Sequence, residues 1–170
     1  MTPGAAPRKV VAVLPLFYLS QDKATPPPVA QIEVGANVTA SRIEYRATGH
    51  GGANDPMGKC IGPAEEFCKR THHVMLDGSE LMSFVPWRQD CYQNCTLAHY
   101  RNFDYCMENP CGDINSVQAS RANWCPGTLT PPITWEPMLA PGSHSFTYSI
   151  DGIVDGGSWR LSATAFLFAE

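Results

Sequence analysis

An all-β fold, an antiparallel jelly roll or β-sandwich with one long disulfide-held loop excursion, follows from three observations. Fifteen prolines and fourteen glycines against only 16% charged residues disfavour long helices. No long stretch keeps an apolar spacing near 3.6, whereas several keep a spacing of two. Turn signals recur every ten residues or so, enough for roughly seven to nine strands. At 170 residues the chain is long enough to bury one real core.

Residues 1–8 (MTPGAAPR) have the composition of a flexible tail or linker remnant, and residues 9–170 form a single domain. Residues 9–19 are apolar on both faces, which predicts a central strand. The Pro26-Pro27-Pro28 run is a stiff connection, and 31–34 and 37–40 are short strand candidates around Gly35. Residues 41–48 alternate, with Ile43, Tyr45 and Ala47 inward and Arg42, Glu44 and Arg46 outward, and deliver the chain to His50. Asp77-Gly78 between 71–76 and 79–85 is a strong hairpin signal. Residues 86–130 carry five cysteines and little periodicity, and form the excursion. Phe146, Tyr148 and Ile150 point inward before a turn at Asp151-Gly152. The closing strand, 159–168, puts Trp159, Leu161, Ala163, Ala165 and Leu167 on one side.

Composition narrows the function. A net charge of −4 with only 12 Lys+Arg offers no basic stripe for nucleic acid. No apolar run approaches the roughly 20 residues that cross a bilayer, so no membrane partner is expected. Residues 10–19 are short, contain Pro15 and lack a cleavage site downstream, and are a strand rather than a signal peptide. Seven cysteines, all between Cys60 and Cys125, predict an oxidising compartment, so the chain is expected to be secreted or periplasmic. The odd count leaves at least one thiol without a partner in the chain.

Chemistry concentrates in residues 48–73, TGHGGANDPMGKCIGPAEEFCKRTHH, where Cys60 and Cys68 bracket a Gly/Pro-rich loop around Glu65-Glu66. A carboxylate held there in one orientation and partly desolvated suits proton transfer or the ordering of a water; a solvated loop acid is the plainer alternative. Arg121 and Trp124 supply a fork for a carbonyl or carboxylate and a face for a sugar ring, unless they merely pack over a disulfide. His72-His73 invites a metal, but neighbours on a strand point to opposite faces. Cys91, Cys95, Cys106 and Cys111 loosely match a zinc site, although disulfides suit a secreted chain better.

Five motifs in order carry a resemblance. They are Gly49-His50, Ala64-Glu65-Glu66-Phe67-Cys68, Arg70-Thr71-His72, Asp90-Cys91 with Asn94, and Arg121-Ala122-Asn123-Trp124-Cys125-Pro126-Gly127. With them the chain resembles, from about residue 9 to 168, the C-terminal jelly-roll domain of the peptide-N-glycosidase F family, in the fold group that also holds the peptidylglycine monooxygenases. The resemblance implies cleavage of the amide between asparagine and the first N-acetylglucosamine of an N-glycan, with no cofactor and an N-glycan or glycoprotein as partner. It selects Glu66 over Glu65 as the catalytic acid, and places Arg121, Trp124 and His50 at the sugar cleft. It also implies a Cys91–Cys125 disulfide. The family's short loop disulfide corresponds to Cys68, but its other position is Ala64, which makes Cys60 the substitute.

One departure matters. The family's water-activating aspartate belongs to a second jelly roll, in a Trp-Asp-Arg context that this chain lacks. Asp55 and Asp90 are the local candidates for a replacement base, and a second jelly-roll domain is a candidate partner. The alternatives are a non-catalytic glycan-binding or interaction module on the same fold, and a copper monooxygenase-like protein using His72 or His73, although no His-x-His occurs.

Overall fold

The structure, a computed structural model, describes residues 8–52, 60 and 64–169. Its strands are β1 (Lys9–Gln21), β2 (Ala30–Val34), β3 (Ala40–Gly51), β4 (His72–Leu76), β5 (Ser79–Phe84), β6 (Leu97–Tyr100), β7 (Phe103–Cys106), β8 (Ile133–Trp135), β9 (Gly142–Ile150) and β10 (Gly157–Ala169). One short helix, α1 (Ile114–Gln118), lies between β7 and β8. Two four-stranded antiparallel sheets, ordered β1-β10-β3-β8 and β2-β9-β4-β5, make an antiparallel sandwich of the jelly-roll type.

The core follows from alternation. On β3, Ile43, Tyr45 and Ala47 are fully buried while Arg42, Glu44 and Arg46 remain partly exposed. On β10, Trp159, Leu161, Ala163, Ala165 and Leu167 face the same interior, opposed by Ile32, Val74, Phe146 and Tyr148 from the other sheet. A period of two leaves each strand one face for the interior, which is why the pattern was legible. The turn between β4 and β5 has φ of 50° at Asp77 and 75° at Gly78, the two left-handed residues that match strand twist in a tight hairpin.

Three expectations are corrected. β1 is an edge strand, not a central one, and Val10, Val13 and Tyr18 are exposed on it. Pro15 was the overlooked signal, because a residue with no N–H is confined to a sheet edge or a bulge, and the β1–β10 register shifts beside it. Residues 37–40 are not a separate strand: the Val38 N–H donates to the Gly35 carbonyl at 3.1 Å, closing a turn that leads straight into β3. β8 was not foreseen, since its three residues lie among prolines.

The excursion is ordered by its own parts. It holds a 3-10 turn at Cys91–Asn94, the β6–β7 hairpin and α1, whose first turn is capped by the Asp113 carboxylate accepting from Ser116 N–H. Disulfides join Cys91 to Cys125 and Cys95 to Cys106, and Cys111 is free and exposed. Three of the four thiols of the zinc alternative are therefore consumed.

Buried polar side chains also sit in this core. Glu65 is 0% exposed and Arg70 1%, and the pair is bidentate, with Arg70 Nε 2.8 Å from Oε1 and Nη2 3.1 Å from Oε2. Trp159 Nε1 donates to the same carboxylate at 2.9 Å and the Val154 N–H at 3.3 Å, so both oxygens are satisfied. His72 is also fully buried, its Nδ1 2.9 Å from the Tyr45 hydroxyl and its ring edge-on to Trp159.

Arg70→Met should lower stability by about 3–5 kcal/mol, because it strands a buried carboxylate, and Glu65→Gln in the same chain should recover part of the loss. Denaturant melts would read both, and an Arg70→Met chain that melts like its parent would sink this account. Burial first, then the neighbouring His73, pushes His72 down from 6.5 to about 3, so the fold favours its neutral form. Its contribution is fully present above pH 6.5 and is lost as pH falls toward 3, at up to about 1.4 kcal/mol per pH unit. His72→Phe should flatten the stability–pH curve across that window.

Candidate functional site

The turn that carries the two acids is a single 3-10 turn, Glu65–Phe67, closed by Phe67 N–H to Ala64 carbonyl and Cys68 N–H to Glu65 carbonyl. Three residues per turn set successive side chains about 120° apart. With Glu65 aimed into the core, Glu66 must leave it, and its side chain is 24% exposed. A disulfide ties the end of this turn, at Cys68, to Cys60. Asp55 lies outside the described residues.

The segment 121–125 is stitched to the turn by main chain. Ala122 N–H donates to the Glu66 carbonyl at 2.7 Å, and Gly49 N–H to the Ala122 carbonyl at 3.2 Å. Gly49 is required there, since a Cβ would lie 2.7 Å from that of Ala122. Asn123 takes a left-handed φ of 64° and sends its amide to the Ala47 carbonyl at 3.0 Å, which turns Trp124 back over the end of β3. Trp124 Nε1 donates to the Gly49 carbonyl at 3.0 Å, fixing the ring beside His50, with centroids 5.2 Å apart.

Glu66, Arg121, Trp124 and His50 thus meet at one edge of the sandwich. Arg121 Nη1 lies 3.7 Å from Glu66 Oε2, and the guanidinium carbon lies 4.5 Å from the Trp124 ring centre. Its other side faces Phe67 at 5.1 Å, and Nη2 donates to the Ser116 carbonyl. Arg121 is only 2% exposed, and a guanidinium set against two rings orients its neighbours. Burial lowers the Arg121 pKa from its ordinary value, and the Glu66 carboxylate partly offsets that. Phe67 was missed as a contributor, although its place between Glu66 and Cys68 was a signal.

His50 is half-buried, with Nε2 2.8 Å from the Thr48 hydroxyl. Burial lowers its pKa from 6.5, and the positive charges of Arg160 and Arg121 add to the effect, so the ring is neutral at pH 7. It can donate or accept one hydrogen bond but carries no charge to the cleft.

Two candidates fall away. Asp90 is held by Arg88 through contacts of 2.9 and 2.6 Å, which lower its pKa, so it is a poor base at neutral pH. His72 and His73 diverge: the first is buried, and the second is bound by Glu80 at 2.7 Å and Asp151 at 3.2 Å, so the two cannot share an ion.

Comparison with known proteins bears on the fold. PNGF-II is 22% identical over 95% of this chain and 31% of its own, with a TM-score of 0.65. Recombinant peptide:N-glycanase F is 17% identical over 93% of this chain and 51% of its own, with a TM-score of 0.70. PNGase F, described as a glycosylasparaginase from Flavobacterium meningosepticum, is 16% identical over the same shares, with a TM-score of 0.67. These likenesses show the fold, and the chain spans about half or less of the solved structures it matches. Among curated proteins none matches. The family model for the C-terminal part of peptide-N-glycosidase F matches residues 19–165, and the chain belongs to that family.

Proposed function

We propose that this domain is a peptide-N-glycanase-type amidase module that engages the Asn–GlcNAc linkage of N-glycoproteins at the cleft of Glu66, Trp124 and His50. The observation that carries this reading is the parting of two adjacent acids. Glu65 is consumed by the core, while Glu66 faces solvent with a buried guanidinium behind it and a fixed tryptophan face beside it. Trp124 stacks on the first sugar. Glu66 orients the attacking water or passes a proton, and Arg121 positions both Glu66 and the ring. His50 offers one neutral hydrogen bond to the same sugar.

Amide hydrolysis near neutral pH also needs a group that takes a proton from water. Asp90 is tied to Arg88, which supports a half-site completed by a second jelly-roll domain. Three disulfides suit a secreted or periplasmic setting, where glycoprotein substrates are met. The same burden on Asp90 favours a second reading, a glycan-binding module without catalysis, in which Trp124 matters and Glu66 does not.

Glycan release from an N-glycopeptide separates the two, assayed with this chain and with any longer polypeptide that contains it. Glu66→Ala should lower release by about 100-fold or more while leaving the melting curve unchanged. Trp124→Ala should weaken binding of chitobiose under either reading. Absence of release from both preparations removes the enzymatic reading, and full activity in Glu66→Ala removes the role of that residue.

A further inference from the structure

A cleft of about 590 Å³ opens beside the segment that carries Trp124. Its lining includes Trp87, Arg88, Asp90, Tyr92, Gln93 and Asn123. We infer that this cleft is a distal carbohydrate subsite, taking neutral sugar residues of a glycan beyond the unit held at Trp124. The inference rests on the glycan reading for its continuity with the Glu66 cleft, but its own chemistry is independent.

The two clefts share a wall. Arg88 and Arg121 exchange main-chain hydrogen bonds of 2.9 and 3.0 Å, and Asn123, which lines the second cleft, immediately precedes Trp124. A chain of sugars leaving Trp124 would therefore start beside this surface.

The lining suits an uncharged, hydroxyl-rich ligand. Its one arginine and one aspartate neutralise each other in a bidentate pair, leaving no bare charge in the lining to select an anion or a cation. Tyr92 is 58% exposed, which leaves its ring open as a platform. Its hydroxyl accepts from Gln93 Nε2 at 3.0 Å. Lys69 lies over the Trp87 ring at 5.3 Å, so Trp87 is the floor rather than the platform. Side-chain amides supply both donors and acceptors, as sugar hydroxyls require. The volume falls in the range of roughly 300–1,000 Å³ typical of small-ligand sites.

The cleft is also rigid. Cys91–Cys125 pins the Tyr92 turn to the Trp124 segment, and Arg88 Nη1 donates to Thr128 Oγ1 at 3.0 Å. Asn94 Nδ2 donates to the Asp90 carbonyl at 3.2 Å. A ligand would pay little to order such a surface.

Calorimetric titration tests this with two probes, N,N′-diacetylchitobiose and a longer neutral N-glycan oligosaccharide that contains it. The longer probe should bind about 10-fold tighter or more. Tyr92→Ala and Gln93→Ala, both on exposed side chains, should remove that gain and leave chitobiose affinity within about twofold. Trp124→Ala should weaken both probes. Equal affinity of the wild type for the two probes overturns the subsite, and so does a gain that survives both substitutions. A Tyr92-dependent response to the longer probe with none to chitobiose keeps the subsite and overturns the reading of Trp124. No binding of either probe overturns both.

Discussion

A carboxylate and a guanidinium that see no water hold this edge of the sandwich together. Glu65 and Arg70 come from two segments that would otherwise only approach each other, the 3-10 turn and the entry to β4, and Trp159 on β10 adds a third. Such a pair does not have to be worth much net stability. Its effect is directional. Glu65 can reach Arg70, Trp159 and the Val154 N–H together only from one backbone position, and that position fixes the turn. Gly157 takes part, since a Cβ there would fall 3.0 Å from the Glu65 side chain.

Everything said of Glu66 depends on that constraint. With its neighbour anchored, its carbonyl accepts from Ala122 and its carboxylate faces Arg121. The guanidinium is held in turn by Phe67, Trp124 and the Ser116 carbonyl. A positive charge kept out of water acts over a longer range than one at the surface, because less solvent screens it. It biases His50 toward the neutral form, from a position where it hardly touches solvent.

The alternating strands were legible because burial has a period of two, and Ile43, Tyr45, Ala47 and the run from Trp159 to Leu167 could be placed from sequence alone. β1 was not, because an apolar run on both faces describes a central strand and this edge strand equally well, and only Pro15 tells them apart. Nor could composition separate Glu65 from Glu66, two identical side chains with opposite environments. That choice came through a family resemblance, and the buried Arg70 gives it a physical reason. The surroundings of Arg121 were hidden for a related cause: a sequence shows the fork but not the two rings that lie beside it.

The excursion of residues 86–130 shows why a long, aperiodic stretch persists in a compact fold. Its two disulfides and the Arg88–Arg121 bridge turn it into a second layer laid against the site, rather than a loop leaving it. The bridge has a cost for chemistry, since Arg88, which braces the wall, also occupies Asp90, the acid that could have served as a base on this side. Rigidity of the sugar-facing wall and a free second carboxylate are therefore in competition for the same arginine. Under the proposed reading, an active site built on this face gains a preorganised wall and loses Asp90 as a proton acceptor. The proposed amidase reading accordingly implies a division of labour, with Glu66 on this domain and water activation on a second one.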